Sequence, residues 1–439
     1  MRIGVILLLC VCNGFAWGQS SSPAALQSNR LIAHLKAAEW PAAEALLDSN
    51  LRKRIDATQL EIIWKGLQLA QGELQQVGEL SSREINGKSY YYRQLDFLKS
   101  SVRLELQLNA REKISALRLQ PLSDADLYLP PAYDDPEKYQ EFSLRVKYDS
   151  IQLPAIITLP KNGKLCKVVV LLHDIGPQDK DHSIGPNKMF RDLAVGLAAE
   201  GIASLRYDKR TFRYGPELMA DLRVLTPETE VIQDALAAIA LLRTVAEVDT
   251  QQVHLLGLGV GGMLAGSIAA QSSLPIRSIV AIGSSPRPLP DQLLDQYIQL
   301  LSSKLTFEDM QVAVQQLERQ SKLAKSPALH SAVPADSLPL QLPAPYWLYW
   351  RQFDPLAGYW QTNARLWFVR GEADYQSQAT DLAQWEMRLL GREKTKFSTF
   401  PGLNHLLMAH TDAPLSEAYK AQNQVDAAVV RALAAWIKK

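Results

Sequence analysis

The sequence predicts an α/β fold in which a doubly wound, mostly parallel sheet follows a smaller α+β domain. Strand-like and helix-like stretches alternate from about residue 141 onward. After Lys167, the predicted strand Lys167–Leu172 is a continuous apolar run, which is typical of a parallel strand buried on both faces. Val253–Leu256 runs into a glycine-crowded turn and then a small-residue helix, Met263–Ala270.

Composition fits a large globular chain and excludes several functional classes. The 439 residues are 47% apolar and 21% charged, which is enough for a sizeable core in about two domains. The net charge is +1 without long runs of one sign, so neither a nucleic-acid-binding surface nor a polybasic membrane patch is indicated. No ligand spacing predicts zinc, and we expect no metal and no cofactor.

The first 18 residues have the pattern of a signal peptide. Arg2 precedes an apolar run, Val5–Val11, and small residues permit cleavage after Ala16 or Gly18. The run is too short for a permanent membrane span, and an uncleaved anchor is the alternative. We therefore expect a periplasmic or secreted protein without a stable span. The mature chain would keep Cys166 alone, which excludes an internal disulfide.

Residues 24–121 are predicted to form the small α+β domain, because helical periodicity comes first and strand alternation afterwards. Asn86-Gly87 marks a hairpin turn between the two parts. The predicted helices are Ala24–Glu39, Ala42–Asp48 and Thr58–Leu69, and the predicted strands are Tyr90–Phe97, Ser101–Leu108 and Lys113–Leu119.

Residues 122–140, rich in proline and aspartate, are the predicted linker, and residues 141–439 are the predicted second domain.

A helical, proline-punctuated insertion over 286–360 interrupts the alternation of strands and helices and is predicted to be a lid. It ends in an aromatic run that begins at Tyr346 and Trp347. Those rings either line an apolar pocket or fix the lid to the body of the domain. The predicted elements of this domain are the strands Phe142–Tyr148, Ile151–Leu159, Lys167–Leu172, Ile202–Arg206, Val253–Leu256, Ser278–Ile282, Arg365–Val369 and Lys396–Phe400, and the helices Phe190–Ala199, Glu228–Val245, Met263–Ala270 and Val425–Ile437.

The glycine-crowded turn has the pattern of a nucleophile elbow, Gly-x-Ser-x-Gly, which presents a serine between a strand and a helix. The framing glycines are Gly257 and Gly261, so the nucleophile belongs at position 259. That residue is Gly259, which has no side chain with which to attack. A dinucleotide-binding reading of these glycines is disfavoured, because no acidic residue follows at the required place.

The remaining members of an acyl-transfer triad follow in the expected chain order. Asp374 lies after the predicted strand Arg365–Val369, and Glu372 is the competing acid. His405 lies after the last predicted strand. In a triad, Asp374 would orient His405, which would take a proton from the nucleophile.

Several separated motifs, all in the same order, are similar to a bacterial family of exported α/β-hydrolases. These are esterase- or peptidase-like enzymes related to dienelactone hydrolases and serine aminopeptidases. The resemblance implies the α/β-hydrolase fold with a lid for residues 140–439. The element order of the first domain resembles the small cone-shaped domain, related to the nuclear-transport-factor fold, that precedes many such hydrolases. The motifs are His173–Asp181, Ile184–Lys188, Phe190–Ala194, Leu205–Thr211, Gly371–Tyr375 and Gly402–His405.

The chain departs from that family at two positions of one mechanism. The family has serine where Gly259 stands, and it has His-Gly-Ser-Gly-Pro where this chain has His-Asp-Ile-Gly-Pro from His173. Asp174 and Ile175 thus lie in the turn that, with Val260, is expected to form the oxyanion hole. An anionic Asp174 would oppose the charge that develops there, unless its side chain turns away. We therefore expect impaired acyl transfer.

Three kinds of group could replace the missing serine. Ser284 and Ser285 follow a neighbouring strand at its functional end, whereas Ser267 lies on the helix behind the elbow. Asp174 is able in principle to attack as a carboxylate, as in haloalkane dehalogenases, but its loop is the wrong one for that role. His405 with Asp374 would otherwise activate a water molecule directly.

The sequence thus leaves three functional hypotheses. The first is an impaired exported hydrolase homologue that binds an acyl or peptide-like small molecule in the old pocket. The second is an active ester or amide hydrolase that uses a relocated serine or a water molecule activated by His405. The third is an envelope binding or assembly protein in which the first domain dominates.

Overall fold

The computed structural model describes residues 22–85, 88–122, 128–161, 165–215, 225–302, 306–411, 413–415 and 417–439. The chain divides into two compact units, residues 1–123 and 124–439. The predicted signal peptide and the predicted turn at Asn86-Gly87 lie outside the described residues. Within these ranges, no helix combines the length and the apolar character needed to cross a membrane.

The first unit packs helices onto an antiparallel sheet, as the sequence predicts. Alternate residues of one strand, Val102, Leu104 and Leu106, are buried beneath the helices together with Leu31 and Trp64. The sheet has the strand order β1-β2-β3-β4. The elements are α1 (Pro23–Lys36), α2 (Trp40–Ala45), α3 (Ser49–Arg52), α4 (Ala57–Gln71), β1 (Leu74–Ile85), β2 (Lys88–Phe97), β3 (Ser101–Leu108) and β4 (Ile114–Pro121).

Two details of this unit differ from the predictions. Strand β1 was not predicted, because its sequence is largely polar and its apolar residues do not alternate. The predicted helix Ala42–Asp48 is α2, which begins at Trp40, since Pro41 is tolerated in a first turn, and ends at Ala45. Helix α3 was not predicted, and it begins after Asp48, whose carboxylate accepts from two backbone N–H groups.

The second unit contains an eight-stranded sheet with the order β14-β13-β12-β11-β7-β10-β6-β5. Strand β6 is antiparallel to both of its neighbours, β5 and β10, and all other neighbouring strands of this sheet pair in parallel, so the predicted fold class is confirmed. The strands are β5 (Tyr139–Tyr148), β6 (Ile151–Pro160), β7 (Cys166–Leu172), β10 (Ala203–Tyr207), β11 (Val248–Leu258), β12 (Ile276–Ile282), β13 (Arg365–Gly371) and β14 (Thr395–Phe400), with a short separate pair, β8 (Ser183–Ile184) and β9 (Asn187–Lys188).

Helices cover both faces of this sheet, and the insertion after β12 is helical. A π-helical turn, Glu228–Ile232, leads into α7. The helices are α5 (Met189–Ala199), α6 (Arg210–Arg213), α7 (Gln233–Leu241), α8 (Val260–Gln271), α9 (Leu289–Ser302), α10 (Phe307–Lys325), α11 (Ala344–Gln352), α12 (Pro355–Gln361), α13 (Ala379–Arg388) and α14 (Ala427–Lys438).

The described part of the predicted linker packs against the second unit. The Tyr128 hydroxyl donates to Asp192, and the Tyr133 hydroxyl donates to the carbonyl of Val425. Gln424 donates to the carbonyl of Leu129. Residues 128–138 therefore extend the second unit at its start.

The buried side chain of Arg206 connects strands β10, β6 and β5 at one edge of this sheet. Arg206 on β10 is fully buried and donates to Asp181 at 2.9 Å, to Glu141 at 2.8 Å and to Thr158 at 2.7 Å. Its charge is thus compensated by two carboxylates, which without it would keep only more distant cationic partners, Lys188 at 3.6 Å from Asp181 and Arg191 at 3.6 Å from Glu141.

We predict that Arg206→Met lowers the free energy of unfolding by about 3 kcal/mol or more, because Asp181 keeps a largely buried charge. Arg145→Met on neighbouring β5 is the matched control, since Arg145 is exposed, and should change it by less than about 0.5 kcal/mol. Urea unfolding of both variants measures the difference. Equal effects would contradict this role for Arg206.

Candidate active site

The predicted elbow is a tight strand–turn–helix junction. Strand β11 ends at Leu258, α8 begins at Val260, and Gly259 between them has φ of 51° and ψ of −113°. A Cβ at Gly257 would lie 2.4 Å from the backbone of Gly261. Glycine is therefore required for the close approach of the strand to the helix.

His405 and Asp374 lie together beside this turn. The Nδ1 atom of His405 is 2.8 Å from Oδ2 of Asp374, and both side chains are buried. The other oxygen of Asp374 accepts from the N–H groups of Gln376 and Ser377, which fixes the carboxylate. Glu372, the competing acid, instead accepts from the N–H of Gly402.

Asp174 does not turn away from the predicted oxyanion hole but fills it. Its Oδ1 atom accepts from the backbone N–H of Ile175 at 2.7 Å and from that of Val260 at 2.7 Å. These are the two donors that the sequence assigns to the hole. Oδ2 of Asp174 lies 3.4 Å from Nε2 of His405, a distance for an ion pair rather than an ordinary hydrogen bond.

The carboxylate of Asp174 also occupies the space of a side chain at position 259. A Cβ on Gly259 would lie 2.0 Å from Oδ1 of Asp174 and 2.2 Å from its Cγ. The loop that the sequence analysis described as the wrong one for a nucleophile thus brings the Asp174 carboxylate to the nucleophile's position. Strands β7 and β11 are adjacent and parallel, with Leu172 paired to Gly257, so the loops after both strands meet at one point.

A buried lysine, which was not assigned to the site from the sequence, holds the Asp174 loop. Nζ of Lys209 donates to the carbonyl of Asp174 at 2.9 Å and pairs with Glu230 at 3.0 Å. The neighbouring motif residues Asp208 and Arg210 pair with Lys180 and with Asp234. The run Asp208-Lys-Arg210 was the available signal, since burying three consecutive charges requires partners.

The serines considered as substitutes have other contacts. The Ser285 hydroxyl donates to Asp381 at 2.8 Å. Ser284 is buried, and its hydroxyl has no hydrogen-bond partner within the described ranges. The backbone of Ser267 packs closely against Gly358. Across the part of the chain that the structure describes, no serine hydroxyl hydrogen-bonds to His405.

Comparison with known proteins identifies the family to which the sequence belongs. The sequence profile of the Alpha/beta hydrolase family matches residues 169–418. The chain belongs to the alpha/beta hydrolase family. It is similar to Esterase EstD of Thermotoga maritima, with 29% identity over 410 residues that cover 93% of this chain and 94% of the relative.

Several solved structures of hydrolases are similar to this chain at low sequence identity. Est1E from Butyrivibrio proteoclasticus is 16% identical with a TM-score of 0.44, over 68% of this chain and 99% of its own. Pyrococcus horikoshii acylaminoacyl peptidase is 13% identical with a TM-score of 0.45, over 82% of this chain and 56% of its own.

The two carboxylates around His405 set its charge. Burial alone would lower the pKa of His405, but Asp374 and Asp174 outweigh it and raise that pKa to about 10. Burial would likewise raise the pKa of Asp174, but His405 and the two backbone N–H groups lower it. The site therefore holds an imidazolium between two carboxylates at neutral pH.

Two neutral histidines, His173 and His182, support the loop after β7. His173 donates through Nε2 to the carbonyl of Tyr207 at 2.7 Å, and its ring stacks on His182. Burial lowers the pKa of His182 to about 3 and that of His173 well below its ordinary value. Throughout the described ranges, no group of three or more His, Cys, Asp or Glu side chains is arranged to hold a metal ion.

A largely apolar cavity of about 340 Å³ begins beside the oxyanion turn. Ile175, whose N–H holds Asp174, lines it together with Tyr346 from the insertion. Trp347 is packed in the core, and Tyr346 belongs to the same buried cluster. Tyr346 therefore agrees with both interpretations of the aromatic run, whereas Trp347 agrees with the second. Further lining residues are Pro177, Leu225, Leu340 and Leu342.

We predict that His405 contributes a pH-dependent part of the stability. Its folded pKa is raised from an unfolded value near ~6.5, so this stabilisation is complete below about pH 6.5 and is lost as the pH rises through about 10. Urea unfolding across that window should show the free energy of unfolding falling more steeply for the parent than for His405→Gln.

The same pKa is accessible to NMR titration of the imidazole. Asp174→Asn should lower the pKa of His405, because one of its two negative neighbours is lost. A His405 that titrates near its ordinary value in the parent would contradict the ion-pair arrangement.

Proposed function

We propose that this chain is an exported member of the alpha/beta hydrolase family that does not hydrolyse esters or amides through a serine acyl-enzyme. Its cavity beneath the insertion binds an acyl or peptide-like small molecule instead. The observation that carries the proposal is the carboxylate of Asp174 held by both N–H groups of the oxyanion hole.

Acyl transfer needs a nucleophile, an open oxyanion hole and a histidine that can accept a proton. Gly259 supplies no nucleophile, and Asp174 fills the hole. At pH 7, a histidine with a pKa near ~10 is neutral in only roughly one molecule in a thousand. Activation of water by His405 is suppressed for the same reason. Acyl transfer is thus opposed by the filled oxyanion hole and the protonated histidine as well as by the missing serine.

The similarity to Esterase EstD along nearly the whole chain supports an esterase-like origin for the scaffold. The cavity supports retention of a ligand site, since it is largely apolar and opens next to the former reaction centre. The signal-peptide pattern of residues 1–18 supports export.

We predict that Gly259→Ser alone gives no hydrolysis of p-nitrophenyl esters. The new Cβ would overlap the Asp174 carboxylate, so the serine and the carboxylate compete for one space and the serine cannot take its place beside His405 undisturbed. Gly259→Ser with Asp174→Gly removes that competition and should gain at least ~10³-fold over the parent, because an assembled triad accounts for ~10⁶-fold. Initial rates with p-nitrophenyl butyrate measure both variants.

Adding His405→Ala to the double variant is the control, and it should abolish the gain. A fluorophosphonate should label the chain at position 259 only in the double variant. The proposal would be wrong if the parent hydrolysed the ester and lost that activity on His405→Ala. Full activity of the single variant would equally contradict it.

The ligand site has its own test. Leu342→Trp fills the cavity and should weaken binding of p-nitrophenyl hexanoate at least ~10-fold, because the acyl chain loses its space. Leu390→Trp is the matched control on an 82% exposed leucine and should leave binding unchanged. Calorimetric titration measures both, and equal affinities would place the ligand elsewhere.

A further inference from the structure

A basic cleft of about 800 Å³ lies at the amino ends of the parallel strands, whereas His405 follows the carboxyl end of β14. Five cationic side chains line the cleft, and no aspartate or glutamate of the described residues lines it. Ligands of doubly wound sheets ordinarily bind at the carboxyl ends of the strands, so this cleft is separate from the candidate active site. The five cations are Lys167 on β7, Arg277 on β12, Arg365 on β13, Lys394 directly before β14, and Lys439 directly after α14.

The last turn of α14 fixes the direction of two of these cations. Nζ of Lys167 donates to the carbonyls of Ile437 and Lys438 at 2.9 and 2.8 Å. Arg365 donates to the carbonyl of Trp436 at 2.9 Å. Cations are favourable at this end of a helix, but a carbonyl carries only a partial charge. The helix therefore positions both side chains beside the cleft without neutralising them.

Ion pairs do not neutralise the lining cations either. Among the described residues, no carboxylate lies within ion-pair distance of them, and Arg277 donates to the carbonyl of Gln251 at 2.7 Å. Burial and Arg365 lower the pKa of Lys167 more than Asp249 raises it. Burial also lowers the pKa of Arg365. Lys167 and Arg365 are thus held where a nearby anion would stabilise their charge.

His254 adds a buried hydrogen-bond donor to the same cleft. It lines the cleft, it is 1% exposed, and its Nδ1 atom is 2.7 Å from Oγ of Ser278. The Ser278 hydroxyl has no other partner among the described residues, so it donates to Nδ1, and the ring proton stays on Nε2. Nε2 has no hydrogen-bond partner in the described part of the chain. Burial and three of the lining cations lower the pKa of His254 to about 3, so the imidazole is neutral.

Packing alone does not explain a histidine at this position. The next residues on the same face of β11, Leu256 and Leu258, are apolar members of the core. A buried N–H group without an acceptor costs free energy, and a leucine would fill the place of His254 without that cost. A donor that lies among cations is instead suited to an acceptor with negative charge.

We propose that this cleft binds a small molecule in which a polyhydroxylated body carries a phosphate monoester. Lysine, arginine and buried N–H groups are suitable donors to phosphate oxygens, and several separate cations match a dianion better than a single carboxylate. The amides of Gln252, Gln361 and Asn363 also line the cleft and make no hydrogen bond to the described residues, so they can bind hydroxyl groups. The volume exceeds that of phosphate alone. This site goes beyond the proposed function and shares no residue with it.

Calorimetric titration of the purified full chain with glucose 6-phosphate tests the proposal, with inorganic phosphate and glucose as comparisons. Glucose 6-phosphate should bind, and its affinity should fall as salt is added. Inorganic phosphate should bind at least ~10-fold more weakly, because it lacks the hydroxyl groups, and glucose should not bind. No binding of either phosphate would overturn the proposal. Equal affinities for the two phosphates would overturn the assignment of a polyhydroxylated body.

Two exposed cations provide the variant test. Arg277→Gln with Lys394→Gln should weaken binding of glucose 6-phosphate at least ~10-fold, because two charged donors are lost. Lys396→Gln is the matched control, since Lys396 is exposed, lies over the Trp367 ring and does not line the cleft. It should change the affinity by less than ~2-fold. Circular dichroism confirms the fold of each variant, and equal losses would contradict a specific site.

The buried donor has a readout of its own. The Nε2–H resonance of His254 should shift on addition of glucose 6-phosphate but not of glucose, and His254→Leu should weaken binding ~10-fold. An unshifted resonance at saturation would overturn the role of His254 in the site. Leu342→Trp, which fills the apolar cavity, should leave this affinity unchanged, so the two ligand sites are tested separately.

Discussion

The chemistry of this site depends on one steric condition, which is that a carboxylate from the β7 loop and a side chain at position 259 cannot occupy the same volume. Gly259 places no atoms in that volume, and the Asp174 carboxylate occupies it, 2.0 Å from where a Cβ would lie. The filled oxyanion hole, the charge of His405 and the lack of a nucleophile at the elbow all follow from this exchange. The difference between this site and that of a serine hydrolase therefore involves position 174 as well as position 259.

The filled site has the arrangement of a hydrolase holding its own acid product. One carboxylate oxygen lies in the hole and the other faces the imidazole, as a released acid would. Because Asp174 is part of the chain, its effective concentration greatly exceeds that of a free carboxylate. Lys209 holds the Asp174 carbonyl, so the loop loses little entropy on placing the side chain. Any external group that binds these two N–H groups has to displace the Asp174 carboxylate.

The sequence predicted the parts of the site that depend on chain order. In a parallel sheet, loops after adjacent strands meet, so the places of His405, Asp374 and the elbow followed from the order of the strands. The direction of the Asp174 side chain did not follow, because it depends on how closely the β7 loop approaches α8. Strand β1 was missed for a similar reason, since pairing with β2 rather than its own pattern makes it a strand.

The steric condition also restricts the routes between this site and a serine hydrolase. Serine at position 259 together with Asp174 in its present position overlaps at about 2 Å, so one of the two side chains has to shift. Glycine at 259 with a small residue at 174 overlaps nothing, although it lacks a nucleophile. Of the two single-substitution intermediates, therefore, only the one that loses serine first has an undistorted elbow. In that order, the Asp174 carboxylate enters a turn that has no side chain at position 259, and the two N–H groups and the imidazole of His405 that it contacts are open to it.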